Sequence, residues 1–188
     1  MEQSEERPGM SVNAPYHVVF FKLQRQTWAV GLDWVQEVLQ PKGLGIMPNA
    51  HPVIAGLLNV RGQILPVLKV GEILMKRPMG DLFESMSALE GIDAQNRVLL
   101  IGGGEASIGI MVDSVIRIGS LNSIDTKMTN AGGMEPLWNA DFVWGLAEYE
   151  DAVLPVLNVQ RLVDHIKGLG FDDTHQADAV STSLGKQR

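Results

Sequence analysis

Four histidines, His17, His51, His165 and His175, are the first residues in this chain that could do chemistry. None of them stands in a metal-ligand spacing such as His-Glu-x-x-His. The sequence contains no Gly-x-Ser-x-Gly elbow and no visible set of Ser, His and Asp that would mark a nucleophile with its base. It also has no cysteine, which excludes disulfides, thiolate chemistry and Cys-ligated metal sites. We therefore expect no catalysis, no metal and no cofactor, with a small enzyme as the remote alternative.

A triple glycine, Gly102 to Gly104, is the one stretch that resembles a phosphate-binding loop. No Gly-Lys-Ser or Gly-Lys-Thr follows it, and both flanks have the apolar pattern of strands, over 97–101 and 106–112. A hairpin turn is the better interpretation of these glycines.

Arg61 is more informative, because it is the only charged residue in the 17 residues from Pro52 to Leu68. A guanidinium at the rim of an otherwise aliphatic sheet has three explanations: it pairs with a nearby carboxylate, it is presented to a partner, or it is merely solvated. The sequence around Arg61 does not by itself decide between them.

The segment that positions Arg61, residues 51–74, has the pattern of a β-hairpin followed by a short helix. Two aliphatic runs flank Arg61-Gly62, and Gly62 supplies the positive φ that a tight reversal needs. Pro66 cannot donate a hydrogen bond to a neighbouring strand, which predicts an edge strand or a strand end. The run from Val70 to Lys76 predicts the helix, which Pro78 would end.

Composition limits the possible partners and locations. The chain has 188 residues and a net charge of −7, with its lysines and arginines scattered, so no basic face for nucleic acid is expected. No apolar run reaches the roughly 18 residues of a membrane-spanning helix, and the N-terminus lacks the apolar core of a signal peptide. We expect a cytoplasmic protein that does not insert into a membrane and binds no nucleic acid.

Short apolar segments with turn residues between them predict a mostly β protein over residues 16–167. Residues 1–15 are polar and predict a flexible lead-in, and residues 168–188 predict a disordered tail. Asp33 to Leu39 is compatible with a helical turn or a strand, and Trp28 is expected in the core. Strands are predicted over 16–23, 28–32, 97–101, 106–112, 142–148 and 152–157, and a terminal helix over 159–167.

The chain also contains an internal repeat. Residues 53–74 align without a gap with residues 142–163, with Leu-Pro-Val-Leu at 65–68 and again at 154–157. At a different offset, residues 18–38 align with 98–118, which places Asp33 beside Asp113 and predicts a turn or cap role for both. Two copies of one β-rich unit predict two small barrels packed on each other with pseudo-twofold symmetry.

The two copies differ at the turn. Asn59-Val60-Arg61-Gly62 is replaced by Glu148-Tyr149-Glu150-Asp151 in the second copy. The Arg-Gly turn is therefore not required to make the fold, and this asymmetry favours a functional role for it.

Several of these motifs resemble the CheW-type chemotaxis coupling proteins. The family pattern appears here as Val35-Gln36-Glu37-Val38, then His51-Pro52, Gly56, Asn59, Arg61-Gly62, Pro66-Val67 and Leu68, then residues 109–115 and 154–157. The resemblance covers roughly residues 16–167, and its most specific part is Asn-x-Arg-Gly followed by Pro-Val.

The resemblance implies an all-β fold of two packed five-stranded SH3-like β-barrels with a few short helices, and a non-catalytic adaptor. It implies two partners: the regulatory domain of a chemotaxis histidine kinase, and the cytoplasmic tip of chemoreceptors, whose helices would lie in an apolar groove between the barrels. It also implies recruitment to membrane-associated receptor arrays. An adaptor of a parallel pathway, such as pilus-driven twitching or gliding, is the alternative within the same class.

The resemblance further implies a partner-binding site. We expect Glu37 and Arg61 to form a partly buried ion pair near the groove, which fixes the turn from Asn59 to Gly62 for docking. Removing one partner of such a pair costs about 3 to 5 kcal/mol if the pair is buried and about 1 kcal/mol or less if it is exposed. The predicted site residues are Glu37, Val38, Gly56, Asn59, Val60, Arg61 and Gly62.

Overall fold

A computed structural model describes residues 15–24, 26–48, 50–76, 94–102, 107–127 and 136–169. Short 3-10 helices cover Leu32–Trp34 and Ala140–Phe142. The α-helices are α1 (Gly71–Leu74) and α2 (Val159–Gly168). The strands are β1 (Tyr16–Leu23), β2 (Gln26–Gly31), β3 (Val35–Leu39), β4 (Ile54–Val60), β5 (Gln63–Leu68), β6 (Arg97–Gly102), β7 (Ser107–Val112), β8 (Ser114–Leu121), β9 (Val143–Tyr149) and β10 (Ala152–Leu157).

The strands form two five-stranded sheets. The order is β8-β1-β2-β10-β9 in one sheet, which we call the first barrel, and β3-β6-β7-β5-β4 in the other, the second barrel. All pairs within the sheets are antiparallel except β2 with β10 and β5 with β7, which are parallel. The predicted all-β fold of two five-stranded units is confirmed.

The sequence repeats do not coincide with the barrels. The first copy supplies β1 to β5 and the second copy β6 to β10, but the first barrel combines β1 and β2 with β8, β9 and β10. The second barrel combines β3, β4 and β5 with β6 and β7. Each barrel thus takes two strands from one copy and three from the other, so neither copy can close a barrel alone.

Strand register shows that the two barrels are equivalent in detail. In the second barrel Val38 pairs with Leu99, and in the first barrel their aligned residues, Ile118 and Val19, pair with each other. Both strand pairs also carry a register shift at the same aligned place, after Val35 in β3 and between residues 20 and 21 in β1. The pseudo-twofold relation predicted from the sequence therefore extends to individual residue pairs.

The core has three parts. A large shared core lies between the barrels and includes Trp28, which is fully buried as predicted. Each barrel also has a small core of its own. In the first barrel this contains Val18, Phe20, Ala29, Leu121, Ala147, Leu154 and Val156, and in the second Ala55, Leu58, Val67, Val98 and Met111.

The prediction that Pro66 lies on an edge strand or at a strand end is wrong, because β5 lies between β7 and β4 and continues to Leu68. The proline is tolerated because pairing with β7 begins only at Val67, one residue later. Pro155 has the same place in β10, where the parallel pairing with β2 is formed at Val156.

Other local predictions are partly confirmed. The segment 33–39, for which a helical turn or a strand was predicted, contains both: a 3-10 turn and then β3. The helix predicted over 70–76 is present but shorter, as α1. Asp113 has the expected turn role, since its Oδ2 accepts a hydrogen bond of 2.7 Å from the backbone N–H of Gln24, which has a φ of 49°. Antiparallel β6 and β7 confirm the hairpin that the triple glycine predicts.

Several predicted segments lie outside the described residues. These are the turn at 103–106, most of the connection 76–96, residues 128–135 of the connection 120–140, nearly all of the predicted lead-in and tail, and His175.

Close approach of the chain to the outer edge of each sheet depends on a glycine. Gly45 exchanges two backbone hydrogen bonds of 2.8 Å with Leu57 at the edge of β4, and a Cβ at Gly56 would lie 2.5 Å from the carbonyl oxygen of Gly45. At the aligned place in the first barrel, a Cβ at Gly145 would lie 2.7 Å from the carbonyl oxygen of Asp125. Only glycine allows these approaches without a shift of backbone.

Replacing Gly145 with Ala should therefore destabilise the protein by about 1 to 3 kcal/mol, because the added methyl group meets backbone that cannot rotate away. Urea unfolding of the two proteins measures the difference. Gly168→Ala is the matched control, since a Cβ there meets no atom within 4 Å. Equal stability of Gly145→Ala and the parent protein would show that the edge contact is not tight.

Candidate interaction surface

The predicted site is built on the turn between β4 and β5. Arg61 and Gly62 are its two central residues and have φ values of 54° and 89°, the type I′ geometry that matches the twist of a hairpin. The side chain of Asn59 accepts a hydrogen bond of 2.9 Å from the backbone N–H of Gly62. Asn59 and Gly62 thus set the shape of the turn, and Arg61 is the residue that the turn carries outward.

Arg61 forms the predicted ion pair with Glu37. Its Nη2 lies 3.1 Å from Oε2 of Glu37, and the side chains are 83% and 35% exposed. The pair exists, but the prediction that it is partly buried is wrong for the arginine. Its contribution to the free energy of folding is therefore about 1 kcal/mol or less.

The ion pair was expected near the groove between the barrels, but it lies at the end of the hairpin that points away from the core shared by the barrels. Ile54 and Leu68, at the open end of the hairpin, belong to the core shared by the barrels. The turn is at the other end, where Val60 packs against the second barrel's own core. The pair joins β3 to the end of β4, the two outer strands of the sheet, so it closes the barrel along what we call the β3–β4 seam.

The structure brings some of the predicted site residues together and separates others. Glu37, Asn59, Arg61 and Gly62 meet at the seam through the contacts above. Val38 pairs with Leu99 of the shared core, so its half-exposed side chain lies on the opposite face of β3 from Glu37. Gly56 is buried beneath the segment that contains Gly45, which gives it a structural role.

A second ion pair, which the sequence did not predict, closes the first barrel. Arg117 Nη2 lies 3.5 Å from Oε1 of Glu150, and the two side chains are 52% and 73% exposed. In the repeat alignment Arg117 stands beside Glu37, and Glu150 beside Arg61. The two barrels therefore carry the same bridge with the charges exchanged. The sequence alignment contains this exchange of charges. It becomes visible only when the alignment of 18–38 with 98–118 is combined with that of 53–74 with 142–163.

The bridge of the first barrel has more contacts. Arg117 lies over the rings of Phe20 and Tyr149, at 5.5 and 5.1 Å from their centroids, and these two rings stack at 4.4 Å. Arg117 also donates to the hydroxyl of Tyr149, which donates to Glu150. We call this cluster the aromatic lock of the β8–β9 seam. A stacked pair contributes about 0.5 to 1.5 kcal/mol, and an exposed cation–π contact about 0.5 to 1 kcal/mol.

The histidines occupy local structural positions. His51 Nδ1 accepts a hydrogen bond of 3.2 Å from the backbone N–H of Val53, and the ring of His165 packs edge-on against Phe142 at 5.2 Å. His17 Nδ1 lies 3.2 Å from the hydroxyl of Ser120. Within the described part of the chain, no three His, Cys, Asp or Glu side chains are grouped so that they could hold a metal ion. In the same residues, no helix has the length and apolar character needed to cross a membrane.

Comparison with known proteins identifies the fold and the family. A family model for the CheW-like domain matches residues 17–167. The chain belongs to the CheW-like family. The chemotaxis protein CheW of Thermotoga maritima is 20% identical over 151 residues, which are 80% of this chain and 89% of that protein. The chemotaxis protein CheW of Treponema pallidum is 20% identical over 163 residues, or 83% and 87% of the two chains.

A solved structure supports the fold. The scaffolding protein TtCheW from Thermoanaerobacter tengcongensis superposes with a TM-score of 0.60 at 19% identity, covering 85% of this chain and 91% of that one. The two five-stranded sheets are thus the two SH3-like subdomains of a CheW-like fold.

In this CheW-like chain, Arg61→Ala should lower the free energy of unfolding by about 1 kcal/mol or less, because the ion pair that it removes is exposed. Asn59→Ala should cost a similar amount, about 0.5 to 1.5 kcal/mol, since it removes the hydrogen bond to Gly62.

Denaturant titration of both variants measures these costs, and a double-mutant cycle of Arg61→Ala with Glu37→Ala isolates the pair. A loss of 3 kcal/mol or more for Arg61→Ala would contradict an exposed ion pair and indicate a buried one.

Proposed function

We propose that this chain is a non-catalytic adaptor that couples the cytoplasmic tips of chemoreceptors to the regulatory domain of a chemotaxis histidine kinase. It would do so at membrane-associated receptor arrays. The proposal rests on membership of the CheW-like family and on two relatives that are chemotaxis proteins. The observation that carries it is the ordered, outward-facing arginine of the β4–β5 turn.

The exposed position of Arg61 allows contact with a partner and contributes little to the stability of the fold. Its guanidinium has five N–H donors, and the contact with Glu37 is made through Nη2. With 83% of the side chain exposed, the remaining edge of the guanidinium is accessible to a carboxylate of a partner. Glu37 orients the arginine before docking, which reduces the entropy that binding must cost.

Apolar residues beside the turn complete the surface. Ile64, two residues after Gly62, is 42% exposed on β5. A charged group that is held in place next to a solvent-exposed aliphatic side chain is a usual composition for a protein interface. We assign this face to the kinase regulatory domain, with Glu37, Asn59, Arg61 and Gly62 as its polar part.

Val38 belongs to a different face in this proposal. It pairs with Leu99 of the shared core and is 41% exposed, so we place it beside the expected groove between the barrels. A receptor tip is a helical hairpin, and an apolar groove is the surface such helices occupy. We therefore assign Val38 to the receptor and not to the kinase.

The proposal predicts that Arg61→Ala weakens binding of the kinase regulatory domain by about tenfold or more, because a charged contact at an interface centre is lost. Isothermal titration calorimetry of the full chain against that domain measures the affinity, after circular dichroism has confirmed that the variant is folded. Arg117→Ala is the matched control, since it removes the arginine of the equivalent ion pair on the other barrel. It should keep the parent affinity.

Three outcomes would contradict this assignment. Unchanged affinity in a folded Arg61→Ala variant would remove Arg61 from the interface. An equal loss in Arg117→Ala would show that the effect is not specific to the β4–β5 turn. No binding of the parent protein to any chemotaxis kinase would contradict the adaptor function itself.

A further inference from the structure

The two barrels are closed by unequal seams. At the β8–β9 seam the aromatic lock joins Arg117 to Phe20, Tyr149 and Glu150. In the repeat alignment the second barrel has Leu100 in place of Phe20 and Val60 in place of Tyr149. Its seam therefore has the ion pair of Glu37 with Arg61 and no stacked rings beneath it.

The outer strands also make the β3–β4 seam the weaker of the two. β3 has five residues, and none of its side chains is fully buried. β8 has eight residues and ends on Leu121, which is buried in the first barrel's core. The other seven residues of β8 are also half-buried or exposed, so the difference rests on length and on Leu121: releasing β3 uncovers no buried side chain of its own, whereas releasing the whole of β8 uncovers Leu121 and costs more free energy.

Backbone strain in the first barrel acts against its closure. Its β9–β10 turn has two non-glycine residues with positive φ, Glu150 at 48° and Asp151 at 61°, whereas the β4–β5 turn has Arg61 and a glycine. The aromatic lock compensates for this conformational strain, because Glu150 is held by both Arg117 and Tyr149. The strain is confined to the tip of the hairpin, and the lock acts where the outer strands meet.

We propose that the β3–β4 seam is the part of the fold that opens first, and that the second barrel exposes its β3 edge while the first barrel stays closed. The opening separates Glu37 from Arg61, releases the hydrogen bonds of β3 to β6 and uncovers the small core around Leu58 and Met111. The charge-exchanged bridge of the first barrel keeps that barrel intact during the opening.

This opening has a consequence that rests on the proposed function. The β3–β4 seam contains Glu37 and the Asn59 to Gly62 turn, so docking there requires the closed form. A partner at this surface would therefore suppress the opening, and its apparent affinity would fall in proportion to the fraction of molecules that are open. The adaptor would thus become ordered at its docking surface when it is incorporated into an assembly.

Amide hydrogen exchange of the full chain, followed residue by residue by NMR, tests the opening without any partner. The repeat supplies matched positions: residues 35–39 of β3 and 115–119 of β8 have the same register against β6 and β1. After correction for intrinsic rates, the protected amides of β3 should exchange about five- to fiftyfold faster than their counterparts in β8. Equal protection of the two strands, or slower exchange in β3, would overturn the proposal.

Tyr149→Val tests the cause of the difference, because it gives the first barrel the residue that the second barrel has at Val60. Exchange in β8 should then accelerate by about five- to fiftyfold, while β3 is unaffected. If β8 keeps its protection in this variant, the aromatic lock is not what holds the first barrel closed. The parent protein's own ranking of β3 and β8 decides the proposal if the variant does not fold.

Adding the kinase regulatory domain separates this inference from the proposed function. Slower exchange in β3 on addition of the domain would support both. Fast exchange in β3 that the domain does not change would leave the seam opening established and contradict the docking assignment.

Discussion

Closure of an open five-stranded sheet is the constraint on which the rest of this structure depends. The outer strands, β3 with β4 and β8 with β9, are not joined by a regular ladder of hydrogen bonds. Each seam is closed instead by one short backbone pairing, at Leu57 or Leu146, and by one ion pair. Gly56 and Gly145 allow the backbone to approach closely enough for the pairing. Glu37 and Arg117 supply one partner of each ion pair. The two exposed ion pairs therefore also complete the barrels.

Exchange of strands between the repeats connects the two barrels. Four of the eight strand pairs join strands that are far apart in the sequence, namely β1 with β8, β2 with β10, β3 with β6 and β5 with β7. The parallel pairs at Ala29 with Val156 and at Gly109 with Val67 join the two copies at equivalent places. Neither copy alone contains the strands of a complete sheet, and the two barrels share one large core.

The sequence predicted most of the strands and the repeat from local signals, the runs of apolar residues and a repeated Leu-Pro-Val-Leu. It did not predict β8, and the pairing of Glu37 with Arg61 was expected from the family resemblance together with the isolated charge of Arg61. It could not predict which copy completes which barrel, since both arrangements satisfy the same local pattern. It placed a partly buried ion pair near the groove, whereas solvent exposure of Arg61 depends on where the hairpin points in three dimensions. Pro66 was assigned to an edge because a one-dimensional pattern does not show that a neighbouring strand can begin one residue later.

The central claim is that Glu37 and Arg61 present a charge of defined polarity, in addition to closing a seam. Exchanging the two charges, with Glu37→Arg and Arg61→Glu in one chain, keeps a bridge like the one that Arg117 and Glu150 form in the first barrel. The account predicts stability within about 0.5 kcal/mol of the parent protein, because both ion pairs are exposed, but at least tenfold weaker binding of the kinase regulatory domain by calorimetry. Parent-like affinity in this folded variant would contradict it, and would mean that the pair acts only as a structural bridge.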